Sequence, residues 1–357
     1  MDGVNTHLFD TGTLVRITVP RLLLALAATV AAVDCVWAVW GHFSLDVVAY
    51  LRLALMSAGL LAGAAFYRTL RPEPNLAAML FGAGFLCAFS AGASVFNYFL
   101  LTVVGKPIDP MLVRADRMLG FDWYKVLVGM ADHPYLNEVF FRVYNLVLPQ
   151  MAILLVALAW SGHVGKVYRY CLAVAVGAVI AIFIWAVMPS LGAKSLYTLP
   201  PEVMSRLTLS VTCDYGRDLL RLLDDGPGYI TPADLRGLIA FPSYHGVLAI
   251  LLVWYAWSVR WLRWPFLAIN TVVLISTPVQ GGHHLVDVLA AFPVAALAIY
   301  LASLGEAAKN PAKPFRVVNK VRKFTTGAVP QGLFRITPAQ EDDTAPSAIK
   351  SELSGVS

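Results

Sequence analysis

Apolar residues along the chain fall into eight long runs that are separated by short polar segments. Most runs approach the roughly 20 residues that an α-helix needs to cross the hydrocarbon core of a bilayer. The runs cover positions 22–40, 47–66, 77–104, 139–160, 170–188, 238–258, 264–279 and 285–301. This pattern predicts an all-α, polytopic integral membrane bundle of about eight transmembrane helices.

The composition agrees with a membrane protein. Hydrophobic residues make up 58% of the 357 positions and charged residues 14%, which is too apolar for an ordinary soluble protein. The first run is long enough to span, so we expect it to remain as an anchor and not to be cleaved. After residue 304 the chain becomes basic and then rich in Pro, Ser, Thr and acidic residues. We therefore predict a membrane domain at 1–304 and a cytoplasmic tail at 305–357 that is disordered toward its end.

Two short polar segments stand where apolar runs begin. Residues 241–245 read Phe-Pro-Ser-Tyr-His, and residues 281–287 read Gly-Gly-His-His-Leu-Val-Asp. These sequences predict two helix starts, with Pro242 in the first turn of one helix and His283 in the first turn of the other. One run leads away from the first segment and the next returns, so both starts fall on the same membrane face. Because a helix start presents free N–H groups and a positive dipole end, the pair predicts an anion site.

Positive charges in the short connections predict the orientation of this face. Lys and Arg accumulate on the cytoplasmic side of membrane proteins. Under the eight-span count, basic pairs after the second, fourth and sixth runs share one side with the basic segment after the eighth. The pairs are Arg68 with Arg71, Lys166 with Arg169, and Arg260 with Arg263. Both histidine segments then face the exterior, which is the periplasm if the protein lies in a bacterial inner membrane, the location that we expect.

The spacing of His283 and Asp287 fits nucleophilic catalysis. Residues four apart share one helical face, where the carboxylate can hold Nδ1–H and leave Nε2 as an oriented nucleophile. His245 can donate and accept protons from the opposite side, and Gly282 lets a tetrahedral group approach the backbone. Two other interpretations are packed histidines without chemistry and a zinc site formed by the three histidines and Asp287. Outside that zinc set, His284 is expected to be a neighbour and not a second nucleophile.

The PSxH motif at 242–245 and the HxxxD motif at 283–287 together resemble the type 2 phosphatidic acid phosphatase superfamily. The residues in and around the two motifs are most similar to those of the branch that contains yeast-type inositol phosphorylceramide synthases and related bacterial membrane proteins. The resemblance implies a six-helix phosphatase-like core. It also implies that His283 attacks phosphorus and that Asp287 orients the His283 ring. His245 would then protonate the leaving group, and Ser243 would contact the phosphate. The family's KxxxxxxRP motif is not present, and Ser276-Thr277 stands where its third motif has Ser-Arg.

Basic residues in the long segment 189–240 can supply the positive charge that those missing arginines would provide. A phosphoryl-transfer site must stabilise negative charge on the equatorial oxygens. We expect Lys194 and Arg236, together with Gly282, to contact the phosphate. The other basic residues of the segment are Arg206, Arg217 and Arg221.

The segment 107–134 alternates apolar and charged residues at helical spacing. This pattern fits an amphipathic helix in the outer interface, with Trp123 and Tyr124 at headgroup depth, and it fits a plain connector equally well.

These features predict a membrane enzyme that acts on a lipid phosphate through a phosphohistidine. With water as the acceptor it is a phosphatase, and with an alcohol such as inositol or a sugar hydroxyl it is a phosphotransferase. We expect no cofactor, no metal and no nucleic-acid partner; the partners are the lipid phosphate and membrane lipids. A transporter or scaffold is the alternative of another class, but the chain shows no internal repeat and its ionisable cluster lies at one face.

Overall fold

The structure, a computed structural model, describes residues 18–226, 228–233 and 237–307. Within these ranges the chain is almost entirely helical. The α-helices are α1 (Val19–Trp40), α2 (Val47–Thr69), α3 (Pro74–Leu100), α4 (Asp109–Met118), α5 (Trp123–Met130), α6 (Pro134–Tyr144), α7 (Val147–Trp160), α8 (Val164–Val187), α9 (Pro201–Met204), α10 (Cys213–Asp225), α11 (Tyr244–Ala256), α12 (Arg263–Gln280) and α13 (Leu285–Ala307). The all-α prediction is confirmed. The predicted tail beyond residue 307 lies outside the described residues.

Each of the eight apolar runs coincides with a helix or with a pair of helices. Five described helices are long and apolar enough to cross a membrane, namely α1, α2, α3, α8 and α13. The sixth candidate is the pair α6–α7, which is bent by 44° at a short break. Helix α11 has 13 residues, which is about 20 Å at ~1.5 Å per residue and shorter than a ~30 Å hydrocarbon core. The chain is therefore a polytopic helical membrane protein.

The centre of the bundle is formed by α8, which packs against α3, α11 and α13. Its buried face is rich in small residues, and Trp185 and Tyr170 fill the remaining space. Helices α1 and α2 pack on the outer side of α3 and expose most of their surface, as expected where apolar side chains face lipid. The core of the bundle therefore lies beneath the two histidine segments, which begin α11 and precede α13.

The amphipathic segment forms two short helices, α4 and α5, separated at Gly120, whose φ is +76°. The expectation of a single amphipathic helix is therefore wrong. Trp123 is buried, and its Nε1–H donates to the carbonyl oxygen of Pro278 at 2.8 Å. Helix α4 is also turned inward, because Asp109 and Asp116 on its inner face are buried. The segment therefore packs on the end of α12 and α13, where the second motif lies.

The long segment 189–240 is structured in its described part. It contains a 3₁₀ turn at Ala193–Ser195, then α9, α10 and the strand β2 (Tyr229–Ile230). Strand β2 pairs in parallel with β1 (Ser44–Leu45). The 3₁₀ turn contacts α10 and places Lys194 beside the second motif.

Candidate active site

His283 lies two residues before α13, so the prediction that it occupies the first turn is wrong, and two acceptors hold one of its ring nitrogens. Its Nδ1 is 3.2 Å from Oδ2 of Asp287 and 3.1 Å from the carbonyl oxygen of Ala240. Since both neighbours accept hydrogen bonds, the proton of a neutral imidazole belongs on Nδ1. The lone pair is then on Nε2, which lies 3.5 Å from Oγ of Ser243.

The environment of His283 favours the neutral ring. Burial lowers the pKa of His283 to about 3, and the positive charge of Lys194 acts in the same direction. A neutral ring at neutral pH offers the Nε2 lone pair without a prior loss of a proton. The arrangement is therefore suited to nucleophilic attack.

Ser243 joins the starts of α11 and α13. It is the N-cap of α11, and its Oγ accepts a hydrogen bond from the N–H of Gly246 at 3.3 Å. Its own N–H donates to the carbonyl oxygen of Asp287 at 2.9 Å. The two motifs therefore meet, as the order of the runs predicts. Pro242 precedes the N-cap, so the prediction that it occupies the first turn is wrong by two positions.

His245 lies in the first turn of α11 and stacks on Tyr144, the last residue of α6. The ring centroids are 4.6 Å apart and the planes differ by 11°. The hydroxyl of Tyr144 lies against Gly281, where an added Cβ would come within 2.7 Å of it. Tyr144 thus contacts both motifs, a position that no spacing in the sequence indicates.

Lys194 is the basic residue that reaches the second motif. Its side chain is buried, and Nζ donates to the carbonyl oxygen of Gly281 at 3.2 Å. The aliphatic stem lies on Gly282, where an added Cβ would be 2.7 Å from both Cβ and Cδ of Lys194. Gly282 also has a φ of +64°, which side chains rarely adopt. A glycine is therefore required there if Lys194 is to lie beside His283.

The other predicted loop cations lie elsewhere or outside the described residues. Arg206, Arg217 and Arg221 are exposed and pair with acidic side chains at the surface. Arg236 belongs to the part of the chain that the structure does not describe. Within the described part of the segment, Lys194 is thus the basic side chain placed to meet a phosphate at His283.

His284 is buried between two carboxylates of α4. Its Nδ1 is 3.2 Å from Oδ2 of Asp116, and its Nε2 is 3.3 Å from Oδ1 of Asp109. Burial opposes protonation, but the two carboxylates raise the pKa of His284 to about 9. Burial would raise the pKa of Asp109, yet its hydrogen bonds to His284, Leu191 and Ser190 lower it overall. Both ring nitrogens of His284 are thus occupied by carboxylates, which fits the expectation of a neighbour that is not a second nucleophile.

The Asp109–His284–Asp116 cluster ties α4 to both loops of the site. Asp116 accepts the N–H groups of Leu285 and Val286 at 3.1 and 3.0 Å. Asp109 accepts from the N–H groups of Leu191 and Gly192 and from the hydroxyl of Ser190, at 3.0, 2.9 and 2.7 Å. The first loop carries His283 and the second carries Lys194, so the cluster fixes one relative to the other.

This cluster corrects the predicted anion site at the two helix starts. The first N–H groups of α13 already donate to Asp116, and the N–H of His284 donates to Asp287 at 2.8 Å. At α11 the N–H groups of Tyr244 and His245 have no partner within the helix, as at any helix start. The donors for an anion are therefore expected from α11 and Lys194, and not from α13.

The zinc interpretation requires the three histidines and Asp287 to be arranged as ligands of one metal ion. No group of three or more His, Cys, Asp or Glu side chains in the described ranges is arranged to hold a metal ion. His284, one of the proposed ligands, directs both ring nitrogens to Asp109 and Asp116.

Comparison with known families gives a match that includes both motifs. The model of the PAP2 superfamily matches residues 110–301. That range is more than half of the chain and runs from α4 through most of α13. No match was found among the curated proteins or among the solved structures. On the extent of the family match, the chain belongs to the PAP2 superfamily of phosphatases.

Proposed function

We propose that the protein cleaves a lipid phosphate ester by forming a phosphohistidine on His283. The observation that carries the proposal is the fixed imidazole: Asp287 and Ala240 hold Nδ1 while Nε2 remains beside Ser243. The superfamily supports phosphoester chemistry, and a membrane bundle favours a lipid substrate.

The first step transfers the phosphoryl group to the protein. The Nε2 lone pair forms a bond to phosphorus while the bond from phosphorus to the lipid oxygen breaks. The leaving oxygen keeps that bonding pair and takes a proton from His245. Lys194 and the N–H groups at the start of α11 stabilise the charge on the equatorial oxygens.

The second step releases the phosphoryl group. An acceptor oxygen attacks phosphorus and loses its proton to His245, and the P–N pair returns to Nε2 of His283. Water as the acceptor gives a phosphatase. Inositol or a sugar hydroxyl gives a phosphotransferase, the alternative that the resemblance to inositol phosphorylceramide synthases keeps open.

The function is tested with purified protein in lipid vesicles that contain single lipid phosphates. We expect release of inorganic phosphate, or transfer to an added alcohol, that orthovanadate inhibits and that EDTA leaves unchanged. Vanadate mimics five-coordinate phosphorus, and histidine as the nucleophile needs no metal-bound hydroxide. Absence of both products across phosphatidic acid, lysophosphatidic acid and ceramide 1-phosphate would contradict the proposal. Loss in EDTA with rescue by zinc would favour the zinc interpretation.

We also infer that the site faces the periplasm or the exterior, from the basic pairs in the short connections. A matched pair of exposed serines tests the orientation: Ser205 follows α9 in the segment with Lys194, and Ser161 lies between α7 and α8. In a variant without native cysteines, an impermeant thiol reagent applied to intact cells should label Ser205→Cys and spare Ser161→Cys. The reverse labelling would invert the orientation.

A further inference from the structure

A cavity of about 860 Å³ lies at the end of the bundle away from the two histidine segments. Its wall is formed by the first turns of α8, the end of α11, the start of α12 and the later turns of α13. His245 begins α11, and Trp257, which lines the cavity, follows the last residue of that helix. The two residues are therefore about 18 Å apart along the helix axis at ~1.5 Å per residue. The cavity is thus separate from the candidate active site.

The charge of the cavity wall is positive. Lys166, Arg169 and Arg263 line it, and no carboxylate is among its lining residues in the described part of the chain. Glu306 follows the lining residue Ser303 by three positions in the sequence, but the balance stays positive when that charge is counted. The volume lies in the range of roughly 300–1,000 Å³ that is typical of small-molecule sites. The wall is therefore suited to an anionic ligand.

Two of these cations are held in place and still have unused donors. Nζ of Lys166 donates to Oγ of Ser258 at 2.7 Å, which uses one of its three N–H groups. Nε of Arg263 donates to the carbonyl oxygen of Trp257 at 2.7 Å, and its guanidinium lies 5.9 Å from the centre of the Trp257 ring. Neither cation is paired with a carboxylate in the described ranges. Because Trp257 and Ser258 are neighbours, both cations lie at the same part of the wall, together with the O–H of Ser258.

The remaining side of the cavity is aromatic and faces the surroundings of the bundle. Trp254 and Tyr300 line it and are 58% and 59% exposed. Trp and Tyr are enriched at the two membrane–water interfaces, where the headgroups of lipids lie. A bilayer lipid can use both sides of this cavity, whereas a soluble anion would use the donors alone.

The chain's own tail is a poorer match for the cavity. Ser303 lines the cavity, and α13 ends at Ala307. The sequence that follows contains six basic residues and no acidic residue at positions 308–323. Positive charge that directly follows a positive wall favours an external anion.

We propose that this cavity binds the headgroup of an anionic membrane phospholipid. Lys166, Arg263 and Ser258 donate to the phosphate, and the acyl chains lie against Trp254 and Tyr300. A lipid of net negative charge, such as phosphatidylglycerol, matches the wall, because the ammonium of a zwitterionic lipid would meet cations and no described carboxylate. The bound lipid joins α8, α11, α12 and α13, and its binding does not depend on the proposed catalytic function.

The test measures lipid binding to the purified full-length protein in detergent by native mass spectrometry. Dioleoyl phosphatidylglycerol is compared with dioleoyl phosphatidylcholine, which has the same chains. We expect the wild type to prefer phosphatidylglycerol, and Lys166→Gln and Arg263→Gln each to lose about five-fold in affinity for it, as expected for one basic residue near an anionic lipid. Arg260→Gln is the matched control. Arg260 is exposed in the same connection between α11 and α12 and does not line the cavity, so this variant should bind as the wild type does.

A charge-conserving variant separates lipid binding from folding. Lys166→Arg keeps the positive charge and should retain most of the preference. Because a ligand that binds the folded state stabilises it, phosphatidylglycerol should raise the melting temperature of the wild type and of Lys166→Arg more than phosphatidylcholine does.

Four outcomes would overturn the lipid site. The first is equal affinity of the wild type for the two lipids, which requires no variant to fold. The second is an equal loss of affinity in Arg260→Gln. Displacement of phosphatidylglycerol by inorganic phosphate alone would assign the donors to a free anion. A rise in affinity for phosphatidylglycerol when Asp342 and Asp343 are changed to Asn in the full chain would assign the cavity to the acidic part of the tail.

Discussion

His283→Asn should abolish phosphate ester cleavage, with a loss of about 10⁴-fold or more in kcat, as when the nucleophile of a catalytic unit is removed. Asparagine is close in size and polar, but it lacks the nitrogen lone pair that attacks phosphorus. The measurement is release of phosphate from a labelled lipid phosphate in vesicles. His133→Asn is the matched control, because His133 is exposed at the start of α6, and it should remain active.

The His245→Ala variant should separate the two steps. A lipid alkoxide is a poor leaving group and needs a proton, so cleavage of the natural ester should fall by about 10²- to 10⁴-fold. An aryl phosphate leaves without that proton, while the second step still lacks its base. Phosphohistidine should then accumulate on His245→Ala, stable to base and labile to acid, and be absent from His283→Asn.

Two outcomes would reverse the assigned roles. Label on the protein that lacks His283 would place the nucleophile elsewhere. Full turnover of the aryl phosphate by His245→Ala, without a trapped intermediate, would remove His245 from the second step. A control with Tyr144→Phe keeps the ring that stacks on His245 and tests whether its hydroxyl contributes.

The parts of the fold set by local pattern were predictable from the sequence. Long apolar runs leave no choice but helices in a bilayer, because backbone groups must be satisfied within each segment. The meeting of Ser243 with the second motif also follows from chain order, since one run leads away and the next returns. The contact between His283 and Asp287 could be predicted from their spacing of four residues alone.

The parts that depend on packing between distant segments were not predictable. His284 contacts Asp109 and Asp116, which are 175 and 168 positions away in sequence. A signal existed in α4, because two aspartates seven apart share one helical face. The alternation of apolar and charged residues in this segment, however, does not indicate whether the charged face contacts water or protein. The burial of Trp123 could not be predicted for the same reason.

The second large effect is expected at Asp116. Asp116→Ala removes the acceptor of the first two N–H groups of α13 and one of the two partners of His284. Breaking a buried charged pair from one side costs about 3–5 kcal/mol, so the melting temperature and the activity should both fall sharply. Asp122→Ala is the matched control. Asp122 caps the next helix through the N–H of Lys125, and an exposed cap is worth about 1 kcal/mol.

The pH dependence of stability distinguishes the cluster from an ordinary loss of packing. The folded-state pKa of His284, about 9, lies above the ordinary value of 6.5. Its protonation therefore stabilises the fold fully below the ordinary pKa, and this contribution is lost as the pH rises through about 9. Asp109, Asp116 and Asp287 all favour the charged ring. Wild-type protein in detergent should thus melt at lower temperature as the pH approaches 9. In Asp116→Ala one of those charges is gone and the folded-state pKa of His284 is lower, so the fall should be smaller and should level off below pH 9. A parallel pH profile in the two proteins would mean that Asp116 acts on α13 alone and not through His284.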